Sequence, residues 1–169
     1  MAAKKYFQNT SGKITEKAAT IVSSGASNEG DIVALDAGGK LDLSVMPTGI
    51  GADTATIPAS ENLAAGDLVN IWNDGGTTKV RKADATSAGK EAHGFVKAGV
   101  TAPANASVYF EGDNSGLTGL VGGDLFLSTT AGQATSTAPS GSGNVIQLVG
   151  VATSTTAMNF ESGTPFYLA

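Results

Sequence analysis

Residues 64–72, AAGDLVNIW, and residues 121–129, VGGDLFLST, decide the fold class. In each, a Gly-Asp pair precedes a short apolar run, and Gly66-Asp67 returns as Gly123-Asp124 at an offset of 57. Gly admits positive φ and Asp bonds to nearby backbone, so the pair reads as a turn feeding a strand. Downstream, HGFVKA at 93–98 resembles VGVATS at 149–154, with Gly94 against Gly150 at an offset of 56. A third echo pairs SVYFEG at 107–112 with AMNFES at 157–162 at an offset of 50. Near-equal offsets argue for two copies of one β unit, each a turn, a strand, a hairpin, a loop, a Gly-containing strand and a final strand. Generic turn chemistry in a chain with 23 glycines is the competing reading.

Outward from these repeats, short apolar or alternating runs separated by Gly, Asp, Asn, Ser or Pro continue from about residue 55 to the end, without helix periodicity. The expected strands are 68–72, 78–82, 92–96, 107–111, 124–128, 134–137, 145–152, 158–160 and 165–168. That pattern predicts an all-β body over 55–169, a small β-barrel or sandwich built from the two units with a pseudo-twofold relation.

Residues 1–54 read differently, as an extended N-terminal arm and a joint. Isolated apolar residues, Tyr6, Phe7, Ile14, Ile21 and Val22, stand among Lys, Thr, Ser and Asn, a spacing that suits an arm seeking a partner surface. The run ITEKAATIV at 14–22 fits one or two helical turns or a strand equally. In GDIVALDAGGKLDLSVMPTGIG, Ile32, Val33 and Leu35 suggest a short strand, Asp36 to Gly39 a turn, and Pro47 a stop.

Composition narrows the function. Aromatic residues make up only 6% of the chain, so large core-filling side chains are scarce and an interface has to help. Ten basic against fifteen acidic residues, with no basic block, offer no phosphate-neutralising surface, so nucleic acid is not an expected partner. Nothing approaches the roughly 18 apolar residues of a membrane span. The N-terminus has lysines but no apolar segment after them, so no secretory signal is expected. With no Cys and one His, the usual zinc ligand sets cannot be assembled in one chain, and no metal or cofactor is expected.

Candidate chemistry is thin. His93 reads as a strand residue, since a base needs a nucleophile and an orienting carboxylate beside it. Paired carboxylates among Asp67, Asp74, Asp84, Glu91, Glu111, Asp113, Asp124 and Glu161 would suit glycoside hydrolysis, but Asp67 and Asp124 follow Gly at strand starts, where turn formation accounts for them. EGDN at 111–114 lacks the alternation of a calcium loop. GSGNV at 141–145 and GIGAD at 49–53 lack the Lys-Ser/Thr ending of a phosphate loop and read as turns or linkers. Trp72 and Tyr109 on expected strands suit core packing or a subunit contact. No catalytic residue is assigned, and the chain is expected not to be an enzyme.

GDIVALDAGGKLDLSVMP at 30–47 resembles the arm-to-body joint of tailed-phage virion proteins. The stretch from Gly123 to Ala169 resembles the C-terminal β module of phage capsid decoration (cement) proteins and of some phage fibre proteins. The resemblance covers roughly residues 30–169 and rests on Gly/Ser/Thr-rich motifs. It implies a small β protein on the outer surface of a bacteriophage head, made in the bacterial cytoplasm, trimeric, and bridging neighbouring major capsid proteins. It carries no catalytic motif. The alternative it leaves is a head-fibre or tail-fibre attachment protein acting in host adsorption. Under either reading, interface contacts fall to Tyr6, Phe7, Ile14, Ile21 and Val22 of the arm and to Trp72 and Tyr109 of the body.

Overall fold

The computed structural model describes residues 4–47 and 50–169; Met1 to Ala3 at the start of the arm, Thr48, and Gly49 at the head of the GIGAD stretch lie outside the described residues. The chain is all-β. It divides between Gly51 and Ala52 into two compact units.

The first unit opens with a hairpin, β1 (Lys5–Thr10) against β2 (Lys13–Ala18), in which Tyr6 faces Lys17, Phe7 faces Glu16 and Asn9 faces Ile14. The run from Ile14, open between helix and strand on propensity, is thus a strand, and the arm folds back on itself. Ser11 and Gly12 turn it at positive φ, with the Asn9 side chain accepting from the Gly12 N–H. Beyond the hairpin the backbone makes two 3-10 turns, Gly25–Asn28 and Leu43–Val45. The strand expected at Ile32 to Leu35 is reduced to a single parallel bridge between Thr20 and Val33. Asp31, with its side chain 5% exposed, gathers this unit: its carboxylate takes hydrogen bonds from Thr20 Oγ1 (2.7 Å) and Asn28 Nδ2 (3.0 Å) and pairs with Lys17.

The second unit holds two five-stranded antiparallel sheets. β3 (Thr54–Pro58), β4 (Leu68–Asp74), β5 (Thr77–Lys82), β6 (Gly94–Val96) and β7 (Asn105–Tyr109) form the first, in the order β3-β7-β6-β4-β5. β8 (Glu111–Ser115), β9 (Gly123–Leu127), β10 (Ala134–Thr135), β12 (Leu148–Ala152) and β13 (Ala157–Glu161) form the second, in the order β8-β13-β12-β9-β10. Between them in sequence, β11 (Val145–Ile146) leaves to pair with β14 (Phe166–Tyr167). Strand for strand, the two orders are the same. Gly94 pairs with Val69 in one sheet and Gly150 with Leu125 in the other. The strand equivalences match the repeats read in the sequence, with the Gly-Asp echo offset by one residue from the pairing register.

Neither sheet closes into a barrel; the arrangement is sandwich-like. The first sheet curls so that the chain just past β3 makes a single parallel bridge to β5, Ala59 with Val80, and the Ser60 N–H donates to the Val80 carbonyl at 2.8 Å. Its concave face buries Ile57, Val69, Val80, Val96 and Val108. The alternate residues Leu68 and Phe95 leave by the other face and pack on Leu125, Leu127, Met158 and Phe160 of the second sheet, with the Phe95 and Phe160 ring centres 5.5 Å apart. Period-two alternation thus lets one sheet line two cores.

Other elements of the body depart from expectation: Thr54–Pro58 is a strand outside the expected set, and the strand expected at 107–111 ends at Tyr109. Glu111–Ser115 is a strand, although EGDNS is polar and beyond Glu111 lay outside the expected strands; pairing with Ala157–Glu161 supplies what its propensity does not. The run 145–152 is cut at Gln147, whose side chain turns inward and lets β11 and β12 join different sheets.

Candidate functional site

Exposed apolar surface distinguishes the first unit. Among its described residues none is buried, while ten large apolar side chains are exposed between Phe7 and Ile50. On the hairpin, cross-strand pairing places Phe7 and Ile14 diagonally on one face, 76% and 75% exposed. Ile21 and Val22 follow, also exposed. Tyr6 is on the opposite hairpin face, half-buried, its hydroxyl enclosed without a hydrogen-bond partner among the described residues. It lines a groove of about 510 Å³ with Ala19, Ile32, Val33 and Leu35. Hydrogen bonds from Lys17, Asn28 and Thr20 hold the Asp31 carboxyl well below the usual carboxylate range, and the same contact raises the Lys17 ammonium.

The two body residues singled out from sequence are engaged within the chain. Trp72 on β4 donates its indole N–H to Ser60 Oγ at 3.3 Å, and the Arg81 guanidinium covers its ring at 4.4 Å. Tyr109 on β7 stacks on Phe95 at 5.5 Å, and the Lys97 ammonium stands 4.8 Å from its ring centre. The structure therefore brings Phe7 and Ile14 together and sets Trp72 and Tyr109 in separate intramolecular clusters of the first sheet. His93 is exposed and accepts the Ile71 N–H through Nδ1 at 3.0 Å, replacing a ladder partner. Asp67 makes the expected turn, its Oδ2 accepting the Ala64 N–H at 2.8 Å.

A second surface escaped the sequence reading. From Ala98 to Ala169 the chain contains no Lys, Arg or His, and four carboxylates: Glu111, Asp113, Asp124 and Glu161. All four emerge on the outer face of the second sheet. Glu111 stands opposite Glu161, and across the next row Asp113, Asn159, Val151 and Asp124 follow one another from β8 to β9. Like charges directly opposite destabilise a ladder, so nothing in the folding of this sheet asks for them. None of the four forms an ion pair among the described residues. Lys97 reaches the rim of a groove of about 390 Å³ lined by Tyr109, Glu111, Asp113 and Glu161, where its ammonium lies over the ring. Exposed Val151 and Leu148 run beside the carboxylates. The signal in the sequence was the absence of cations after Lys97, legible only once pairing had placed the anions together.

Among the described residues no group of three or more His, Cys, Asp or Glu side chains is arranged to hold a metal ion. Of the two surfaces, one is apolar with lysines on the same hairpin, the other acidic with an apolar strip. Comparison with protein-family models, with curated proteins and with solved structures returns no match to this chain.

Proposed function

We propose that this chain is a non-enzymatic virion structural protein that binds the outer surface of a phage capsid as a homotrimer and stabilises the capsid by bridging major capsid proteins. The observation that supports this reading is the first unit: about fifty residues around a single β-hairpin, with no buried residue among those described and ten exposed large apolar side chains. A two-stranded hairpin is marginal by itself in water, and a unit of this size buries too little to be stable alone. Such a segment gains its order from a surface it covers, and a trimer contacting several subunits turns modest contacts into tight binding. The resemblance of residues 30–169 to capsid decoration proteins directs the choice of surface.

The test is to mix purified protein with undecorated heads and image them. Occupancy at regular sites on the head, lost on removal of residues 1–51 while the body keeps its cooperative melt, is the expected result. Unchanged occupancy without those residues, or binding to tails and not to heads, overturns it, the latter in favour of a fibre attachment role.

A further inference from the structure

We propose that the segment 32–35, IVAL, is a docking edge that receives an extended apolar strand bearing carboxylates, contributed by the partner whose surface this protein covers. The inference rests on the capsid-binding reading above and names the contact through which the first unit makes it.

Propensity and pairing disagree along this segment, and the disagreement carries the argument. β-branched Ile32 and Val33, followed by Leu35, favour a strand. The chain pairs the segment on one side only, where Thr20 donates to the Ile32 carbonyl at 2.9 Å and accepts the Ala34 N–H at 2.9 Å. Backbone groups alternate in direction along an extended chain, so the N–H and C=O of Val33 and Leu35 point the other way. None of them forms a backbone hydrogen bond among the described residues, and the side chains of Ile32, Val33 and Leu35 are about half exposed. No Pro or charged residue stands between Asp31 and Asp36, so the edge lacks the usual protection against pairing with another chain.

The surroundings specify the occupant. Ile32, Val33, Ala34 and Leu35 line the groove of about 510 Å³ together with Tyr6 and Ala19, which gives an incoming strand apolar surface for its side chains. The charges left uncommitted beside it are positive. Asp31 is enclosed and engaged by Lys17, Thr20 and Asn28, and Asp36 accepts the Gly38 and Lys40 N–H groups of its own turn at 2.8 and 2.9 Å. Lys4, on the groove wall, and Lys40, at the end of that turn, form no ion pair among the described residues. Carboxylates on the incoming strand meet these two lysines, whereas a basic strand is repelled. Main-chain pairing with Val33 and Leu35 then supplies affinity, and the groove and the lysines supply selectivity.

Full-length protein is titrated with two blocked peptides, acetyl-Val-Glu-Val-Glu-Val-amide and its lysine counterpart, while backbone amides are followed by NMR. The glutamate peptide is expected to slow hydrogen exchange at the Val33 and Leu35 amides and to bind about threefold or more tighter than the lysine peptide at low salt. Lys4→Glu/Lys40→Glu is expected to reverse that preference. Val33→Pro takes away an outward N–H and is expected to abolish the protection, whereas Val33→Ala, which keeps the N–H, retains it. Exchange of the Ala34 amide, bonded to Thr20, reports that both variants keep the local fold. Equal affinity for the two peptides, protection at other edges instead, or unchanged binding by Val33→Pro overturns the inference. Protection of Val33 in concentrated protein without peptide also overturns it, by making the occupant a second copy. Undecorated heads separate the two proposals. If the wild type binds the glutamate peptide but ignores heads, only the capsid reading fails; if Val33→Pro decorates heads as the wild type does, only this inference fails.

Discussion

The side chain of Gln147 pairs with the backbone of Ala92 as a neighbouring strand would: Oε1 accepts the Ala92 N–H at 2.8 Å and Nε2 donates to the Ala92 carbonyl at 2.9 Å. Both residues are fully enclosed, one leading into β6 of the first sheet, the other between β11 and β12. A side-chain amide thus closes a gap that no strand fills.

Gln147→Leu keeps the volume and removes the pairing. The Ala92 N–H is then buried unpaired, although its carbonyl keeps the Ser162 hydroxyl at 2.8 Å. One orphaned donor plus the lost bonds is expected to cost about 2–4 kcal/mol in urea unfolding. A cost below about 0.5 kcal/mol would show that the amide does not join the two sheets.

Gly94 and Gly150 hold the same place in the two sheets. A Cβ on Gly94 would lie 2.5 Å from the Tyr109 carbonyl oxygen, and one on Gly150 2.0 Å from that of Asn159. Backbone cannot yield as a side chain does, and Gly150 also has φ of +135°. Gly150→Ala is expected to prevent folding or cost more than about 3 kcal/mol, Gly94→Ala somewhat less, and Gly122→Ala, which meets nothing, under about 0.5 kcal/mol. Thermal melts followed by circular dichroism rank the three.

Arg81 binds three partners at once: Nε donates to Asn70 Oδ1 at 3.0 Å, a terminal nitrogen donates to the Gly89 carbonyl at 2.7 Å, and the guanidinium covers Trp72. Arg81→Ala leaves the buried Asn70 oxygen without that donor and uncovers the ring, at an expected cost of about 1–3 kcal/mol. As Trp72 is the only tryptophan, its emission should change with the substitution, and Arg81→Lys should restore only part of the stability.

Asp31 ties the hairpin to the loop after it, and its carboxyl titrates below its ordinary value of 3.8. A group whose folded value is depressed contributes stability that is present above the unfolded value and lost as pH falls through and below it. Hydrogen exchange is therefore expected to show protection of β1 and β2 falling as pH drops below about 4. Asp31→Asn should weaken that protection at neutral pH and abolish its acid step. An unaltered acid step in the variant would assign it to another carboxylate.

Turn chemistry and short alternating runs, by themselves, determined that this chain is all-β and that the first fifty residues differ from the rest, and pointed to two repeated units within the body, because these properties are local and Gly, Asp and apolar alternation report them directly. Glu111–Ser115 was illegible as a strand because its partner, Ala157–Glu161, lies almost fifty residues away. Tertiary structure decided that Gln147 would divide one apolar run between two sheets, that Trp72 and Tyr109 would be spent on contacts within the chain, and that four scattered carboxylates would share one face. Each of these depends on which strands pair and in what register. That is settled by the burial of Phe95, Leu125 and Phe160 in a common core, a property no single stretch of the sequence carries.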